Sequence, residues 1–312
     1  IDIIKSKNVR KTLSEIISKF YKKKPKNIIA VTGTNGKTSV ADFFYQILEK
    51  NNIPVASIGT LGIHYKNKTI KTDLTSPDII TLHRNLEQLK KNNINNVIIE
   101  ASSHGLAQKR LDKIIFKAGV FTNFSQDHLD YHKTMKNYLN SKLILFKKLL
   151  PNKSTIITDK TIKEYSVLKK IAKKRNLKIL DINQLLEKAN EISPNIIGTF
   201  QLKNLSMAIQ AAKKCNLKEQ KIFKAIKSIN VVKGRLNLVK EFENNIKVFV
   251  DYAHTPEALK TTLQALKDIY NSKITLVFGC GGERDFKKRP LMAKIAKKFC
   301  KKIYVTDDNP RK

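Results

Sequence analysis

The sequence predicts an α/β fold with mostly parallel sheets, and two observations carry this prediction. Short apolar runs of strand length alternate with stretches of helical spacing along the 312-residue chain. One such run is followed by a glycine-rich turn at 33–36 and then by an amphipathic stretch, which is the context of a phosphate-binding loop. A chain of this length and globular composition has room for two domains.

Eight apolar runs are predicted to be strands. They are Ile28–Thr32, Val97–Glu100, Ala118–Thr122, Ser154–Thr158, Leu177–Ile182, Ile246–Asp251, Ile274–Gly279 and Lys302–Thr306. Apolar residues then recur at helical spacing at Val40, Phe43, Phe44 and Ile47, and again at Leu259, Leu263, Leu266 and Ile269. The second of these helices should begin at Thr255 as N-cap, with Pro256 and Glu257 in its first turn. A helical stretch ends at a glycine within Val231–Asn237, which predicts a domain junction there.

Several classes of protein are excluded. No apolar run approaches the roughly 20 residues that span a bilayer, and the first residues lack the apolar segment of a secretory signal. We therefore expect a cytoplasmic protein without membrane insertion. The three cysteines, Cys215, Cys280 and Cys300, have no CxxC spacing, which argues against a disulfide framework or a cysteine zinc site.

The formal net charge of +35 suggests attraction to polyanions, including nucleic acid. However, lysines run through the whole chain, and no aromatic-rich or basic-helix motif accompanies them. We expect a solvated basic surface and no nucleic-acid partner. A basic P-loop protein that binds nucleic acid remains the alternative from another class, and steeply salt-dependent binding would reveal it.

The strongest chemical motif is TGTNGKTS, which starts at Thr32. Gly33 and Gly36 would let backbone amides approach phosphates, while Lys37 supplies charge and Thr38 a hydroxyl for Mg²⁺. Its turn is shorter than the usual nucleotide-binding P-loop, but strand, lysine, hydroxyl and helix all coincide.

Other candidate residues follow later strands. Glu100 ends an apolar strand, where either a Mg²⁺ ligand or a simple strand-end cap is expected. Asp127, His128, Asp130 and His132 crowd one loop, either as metal or phosphate contacts or as a hydrogen-bond network. Weaker clusters are Asp251 with His254, then Glu283, Arg284, Asp285 and Arg289, and finally Asp307, Asp308, Asn309 and Arg311. His64 and His83 are interpreted as ordinary surface or core residues.

Taken in order, the motifs resemble the Mur ligases, ATP-dependent amino-acid ligases of peptidoglycan assembly. They are TGTNGKTS, TSPD, EASSHGLAQKRL, TNFSQDHLDYH, SKLILF, GTFQLKNLSMAIQAA, GRLN, VDYAHTPEAL, FGCGGERDFKKRP and TDDNPR. The similarity is greatest to the members that add meso-diaminopimelate to UDP-N-acetylmuramoyl-L-alanyl-D-glutamate through an acyl phosphate. Folylpolyglutamate synthase is the nearest alternative, and SSHGL, TSPD and DNPR disfavour it.

The resemblance implies a role for each candidate residue. The ATP site would comprise Gly33, Thr34, Asn35, Gly36, Lys37, Thr38, Ser39, Arg235, Asp251 and His254. Mg²⁺ would be held by Thr38 and Glu100, with His128 and a carbamate on Lys142 at a second metal. The catalytic residues would be Lys37, Lys142 and His128. Without the resemblance, Lys142 would be interpreted as solvent-exposed.

The same resemblance implies two substrate sites. The UDP-muramoyl dipeptide would contact Thr75, Ser76, Ser102, Gln108 and Arg110. Meso-diaminopimelate would contact Arg284, Asp308, Asn309, Pro310 and Arg311. The implied domains are a remnant of an N-terminal UDP-binding domain at 1–24, a central P-loop ATPase-like domain at 25–232, and a Rossmann-like C-terminal domain at 233–312. The chain would then be a fragment, with the C-terminal domain incomplete, and a monomer.

Overall fold

The computed structural model describes residues 3, 5–193, 195–282 and 285–309. Over these ranges, eight strands form one sheet in the order β4-β3-β2-β5-β1-β6-β7-β8. They are β1 (Asn27–Thr32), β2 (Val55–Gly59), β3 (Gly62–Tyr65), β4 (Lys68–Ile70), β5 (Asn96–Glu100), β6 (Ala118–Phe121), β7 (Thr155–Thr158) and β8 (Lys178–Asp181). The pairs β2–β3 and β3–β4 are antiparallel, and all other neighbouring strands of this sheet are parallel. The α/β fold with a mostly parallel sheet is confirmed.

Helices cover both faces of this sheet. They are α1 (Val9–Phe20), α2 (Lys37–Glu49), α3 (Ile79–Lys91), α4 (Ser103–Ala107), α5 (Leu129–His132), α6 (Met135–Ile144), α7 (Tyr165–Lys174), α8 (Leu186–Ile192), α9 (Thr199–Lys213) and α10 (Glu219–Ile226). A π-helical turn at Leu145–Leu149 follows α6, and a 3₁₀ turn at Asn183–Leu185 precedes α8.

The side chains of β1 alternate between two cores because successive strand residues point to opposite faces. Ile29 and Val31 pack with α2 and α9, whereas Ile28 and Ala30 pack with α3 and α7. A strand buried on both faces needs a continuous apolar run, and Ile28–Val31 provides it. The phosphate loop is therefore attached to the centre of the sheet.

The C-terminal part of the chain has smaller sheets. Within the described residues, β9 (Asn237–Glu241) and β10 (Lys247–Val250) form an antiparallel pair, and β11 (Thr275–Phe278) and β12 (Lys302–Val305) a parallel one. Helices α11 (Pro256–Tyr270) and α12 (Lys288–Phe299) pack together through Leu259, Leu263 and Met292. As predicted, Thr255 caps α11 by accepting a hydrogen bond from the Ala258 amide at 3.2 Å.

Each predicted strand has a counterpart, but the sequence analysis missed β2, β3, β4 and β9. The run Val55–Gly59 contains alanine, serine and glycine, which are weak strand formers. Strands β4 and β9 are mostly exposed, so they carry little apolar signal.

The domain boundaries at 24/25 and 232/233 stay a prediction. None of the helices in the described ranges has the length and apolar character to cross a bilayer.

Candidate active site

The phosphate loop joins β1 to α2 at the carboxyl edge of the sheet, where parallel α/β proteins bind ligands. Gly36 adopts φ +86° as the residue before α2, a left-handed conformation that favours glycine. A Cβ at Gly36 would also overlap the side-chain amide of Asn204, and one at Gly33 would overlap the Thr122 hydroxyl. Gly33 also has a positive φ, of +149°, so both packing and backbone conformation favour glycine at the two positions.

Lys37 folds back over this loop. Its Nζ donates to the carbonyl oxygens of Gly33 at 2.9 Å and Thr34 at 2.8 Å. Burial lowers the pKa of Lys37, while the nearby carboxylates of Glu100 and Asp127 act in the opposite direction. The Lys37 ammonium group therefore lies over the phosphate loop. Within the described residues, its hydrogen-bond partners are all carbonyl oxygens of that loop.

Thr38 and Glu100 lie side by side. Strand β5, which ends at Glu100, pairs in parallel with β1, and Val31 of β1 lies opposite Glu100. The carboxylate therefore emerges next to the first turn of α2, where Thr38 lies. The Thr38 hydroxyl donates to Glu100 Oε2 at 3.1 Å, and Thr60 donates to the same carboxylate through its amide at 2.9 Å and its hydroxyl at 3.1 Å. Glu100 is only 1% exposed. A buried carboxylate beside a hydroxyl offers the hard oxygen donors that Mg²⁺ prefers.

Lys142 is buried, not solvent-exposed as its sequence context suggests. Its Nζ donates to the Gly33 carbonyl oxygen at 2.7 Å and lies 4.2 Å from the centre of the Tyr138 ring. Only 1% of the residue is exposed, because α6 turns this side chain towards the phosphate loop. Burial, together with the charge of Lys37, holds the pKa of Lys142 well below its ordinary value. Burial at this position therefore favours the neutral amine over the ammonium form, relative to an exposed lysine.

The loop after β6 contributes Asp127 and His128. Asp127 Oδ2 lies 3.3 Å from His128 Nε2 and 3.4 Å from His254 Nε2, which belongs to the C-terminal part of the chain. Burial would raise the pKa of Asp127, but the hydrogen bond from His254 and the charge of Lys288 act in the opposite direction, and that pKa lies far below its usual range. Burial lowers the pKa of His128 to about 3, against the effect of Asp127. His128 is then a neutral imidazole, the form that ligates metal.

His132 belongs to a hydrogen-bond network, one of the two interpretations left open for this loop. Its Nε2 lies 3.0 Å from the Ser103 hydroxyl, and its Nδ1 lies 3.3 Å from the Ser141 hydroxyl. In the part of the chain that the structure describes, no three His, Cys, Asp or Glu side chains are grouped to hold a metal. Any metal here would also need hydroxyl, phosphate or modified-lysine oxygens.

A cavity of about 540 Å³ extends from the phosphate loop towards the C-terminal part of the chain. Predicted nucleotide residues that border it are Asn35, Gly36, Ser39, Arg235 and Asp251. Arg235 reaches back to the Thr38 hydroxyl at 3.4 Å and stacks 4.3 Å from the Tyr252 ring. His254 instead contacts Asp127.

The sequence analysis missed other polar residues that border this cavity. Gln201 and Asn204 on α9 are 1% and 6% exposed, and Asn204 donates to Gln201 at 3.0 Å. Gln201 in turn donates to the Arg235 carbonyl oxygen at 3.1 Å. The only sequence signal was two amide side chains on a helix whose buried face is mostly apolar. What that signal means depends on which face of α9 borders the cavity.

The residues assigned to the dipeptide form one connected network beside Glu100. The Ser76 hydroxyl donates to the Glu100 carbonyl oxygen at 2.7 Å and lies 3.0 Å from the Ser102 hydroxyl. Arg110 donates to the Ser76 carbonyl oxygen at 2.8 Å and to Gln108 at 3.1 Å. Thr75 lies next to this network, with its hydroxyl 3.2 Å from that of Thr60. All five residues are therefore brought together by the fold.

The residues assigned to the amino-acid site are described only in part. Asp308 and Asn309 follow β12 and lie against the glycine turn after β11, where the Gly282 amide donates to the Asn309 carbonyl oxygen at 3.1 Å. Arg284, Pro310 and Arg311 lie outside the described residues.

The chain matches the Mur ligase middle domain over residues 31–212 and the Mur ligase, glutamate ligase domain over residues 234–312. A protein of Rickettsia bellii named UDP-N-acetylmuramoyl-L-alanyl-D-glutamate–2,6-diaminopimelate ligase is 39% identical over 99% of this chain and 70% of its own length. A protein of the same name from Brucella melitensis is 37% identical over 97% of this chain and 66% of its own length.

Solved structures give the same result at the level of the fold. A structure of UDP-N-acetylmuramoyl-L-alanyl-D-glutamate–2,6-diaminopimelate ligase matches with a TM-score of 0.69 and 29% identity, covering 96% of this chain and 65% of that one. Mycobacterium tuberculosis folylpolyglutamate synthase, complexed with ADP and AMPPCP, matches with a TM-score of 0.71 at 15% identity, over 95% of this chain and 78% of that one. At such low identity the second match shows the fold alone. On the evidence of both domain matches and its relatives, this chain belongs to the Mur ligase family.

Proposed function

We propose that this protein is an ATP-dependent ligase that adds meso-diaminopimelate to UDP-N-acetylmuramoyl-L-alanyl-D-glutamate. The observation that carries the proposal is the convergence of Lys37, the Thr38–Glu100 pair and buried Lys142 around Gly33. The relatives that are 37–39% identical carry the name of this ligase, which supports the choice of substrates. The folylpolyglutamate alternative is supported by fold similarity alone.

The proposed reaction has two steps. A carboxylate oxygen of the D-glutamate side chain attacks the γ-phosphorus of ATP, which forms an acyl phosphate and releases ADP. The amine of meso-diaminopimelate then attacks the acyl carbon, loses a proton and expels inorganic phosphate. Because charge moves between phosphate oxygens in the first step, positioned cations are the main catalytic requirement.

Lys37 and Arg235 are the cations that this chain directs at the nucleotide. Lys37 lies over the loop carbonyl groups, and Arg235, which borders the cavity, lies 3.4 Å from the Thr38 hydroxyl. Thr38 and Glu100 fit a Mg²⁺ ion, since their side-chain oxygens lie 3.1 Å apart in a buried site. Bound there, Mg²⁺ would offset negative charge on the phosphate oxygens.

Lys142 is proposed to carry a carbamate. The unprotonated amine would attack CO₂ at carbon and release a proton, leaving an N-carboxylate on the side chain. Burial favours this chemistry because it lowers the lysine pKa and so increases the reactive neutral form. With neutral His128 on the same side of the loop, the resulting oxygens would supply the second metal site.

The remaining assignments concern substrates and context. Gln108 and Arg110 are proposed to pair with carboxylates or phosphates of the UDP-linked dipeptide, for which a guanidinium is well suited.

The protein is proposed to act as a monomer in the cytoplasm, where ATP and the UDP-linked precursor are available, and to have no nucleic-acid partner. The basic test is that release of phosphate from ATP requires the dipeptide and meso-diaminopimelate together.

The choice of amino acid gives a quantitative prediction that rests on Arg311, which lies outside the described residues. Its guanidinium would form a bidentate pair with the second carboxylate of meso-diaminopimelate. L-Lysine lacks that carboxylate and would leave the arginine unpaired, at a cost of about 3 kcal/mol or more because the unpaired group is charged. We expect a preference of at least about a hundredfold in kcat/KM for meso-diaminopimelate over L-lysine.

Paired assays of both amino acids with the wild type and Arg311→Ala measure this preference. The variant should shrink it mainly by losing activity with meso-diaminopimelate. Equal use of L-lysine by the wild type would show that the DNPR segment has another role.

A further inference from the structure

Ser125 is fixed against the phosphate loop by its own backbone. Its amide donates to the Thr34 hydroxyl oxygen at 3.0 Å, and that hydroxyl lies 3.2 Å from the Ser125 carbonyl oxygen. Tyr138 anchors the same hydroxyl from the other side at 3.2 Å. The position of Ser125 relative to the loop is therefore set by contacts that do not involve its side chain.

The side chain of Ser125 is unusual within the described residues. Its Oγ is shielded from solvent and has no hydrogen-bond partner there, a state shared with side-chain atoms of Thr32, His83, Ser193 and Ser206. Of these five residues, Ser125 alone borders the cavity next to the phosphate loop. Buried hydroxyl groups are nearly always paired, so an unpaired one beside a ligand cavity points to a bond made with the ligand.

We propose that the Ser125 hydroxyl donates a hydrogen bond to a phosphate oxygen of the bound nucleotide. A phosphate oxygen is an ionised acceptor, which makes such a bond stronger than one to a neutral group. Rotation about the Cα–Cβ bond redirects the hydroxyl between staggered positions without moving the backbone. The inference rests on the proposed ATP-dependent function and adds a phosphate contact outside the TGTNGKTS motif.

The test compares Ser125→Ala with Ser206→Ala, a matched control that removes another buried, unpaired hydroxyl, one that does not border the cavity. Calorimetry would measure the affinity of each protein for a non-hydrolysable ATP analogue with Mg²⁺ and for adenosine, which has no phosphate. Melting temperatures would be measured without ligand. We expect Ser125→Ala to weaken binding of the analogue about tenfold while adenosine binding is unchanged.

Neither variant should lower the melting temperature of the free protein, since each removes a hydroxyl that has no partner. Ser206→Ala should bind the analogue as the wild type does. The inference is overturned if Ser125→Ala keeps wild-type affinity for the analogue, or if it loses adenosine affinity equally. A lower melting temperature in Ser125→Ala would also overturn it, because the hydroxyl would then stabilise the loop. If the wild type itself binds no analogue, the proposed function fails first.

Discussion

Replacing Lys37 with alanine should reduce ATP turnover and ligation by at least about 10²–10³-fold. The ammonium group lies at the mouth of the phosphate loop, and its bonds in the free protein are to two loop carbonyl oxygens. Burial lowers the pKa of this lysine, which means that keeping its ammonium group charged costs free energy in the free protein. The variant should therefore fold normally and lose transition-state stabilisation.

Lys50→Ala is the matched control, since Lys50 is exposed at the other end of α2. It should keep wild-type turnover and melting temperature. Lys37→Ala is to be checked by circular dichroism and thermal melting alongside the kinetic assay. Turnover within a few-fold of the wild type in a folded Lys37→Ala protein would contradict the assignment of the phosphate loop.

Lys142→Ala should also inactivate the enzyme, and this loss should be partly reversible. If the functional group is a carbamate, the alanine variant lacks an anion with two oxygens in a buried site of limited size. A small carboxylate such as acetate can supply similar oxygen donors. Activity should therefore rise with acetate concentration in Lys142→Ala and remain unchanged in the wild type.

Lys136→Ala serves as the control on the same helix, because Lys136 is an exposed residue of α6. It should be fully active with or without acetate. ¹³C NMR of the wild type under ¹³CO₂ should show one carbamate resonance that is lost in Lys142→Ala. An active Lys142→Ala protein, combined with no carbamate signal in the wild type, would remove this residue from the mechanism.

The phosphate loop could be predicted from sequence because its parts are contiguous. One stretch of the chain forms the strand, the turn and the helix that hold Lys37 and Thr38, so no long-range packing had to be known. The position of Glu100 could be predicted for a related reason. A carboxylate at the end of a central parallel strand must emerge at the same edge of the sheet as the loop.

The burial of Lys142 could not be predicted from local pattern. Its partner, the carbonyl oxygen of Gly33, is 109 residues away in the chain, and only the packing of α6 against the loop brings them together. Gln201 and Asn204 were missed because their value depends on which face of α9 borders the cavity. The strand β9 was missed because its side chains are mostly exposed and give little apolar periodicity.

The most direct test of the proposed reaction follows an oxygen atom. UDP-N-acetylmuramoyl-L-alanyl-D-glutamate labelled with ¹⁸O in the D-glutamate side-chain carboxylate is incubated with the protein, ATP, Mg²⁺ and meso-diaminopimelate. If that carboxylate attacks the γ-phosphorus and the amine later expels phosphate, one labelled oxygen must leave in each phosphate released. Mass spectrometry of the inorganic phosphate should show this transfer, in step with formation of the tripeptide product. Unlabelled phosphate, or phosphate release that does not require meso-diaminopimelate, would contradict the proposed ligase.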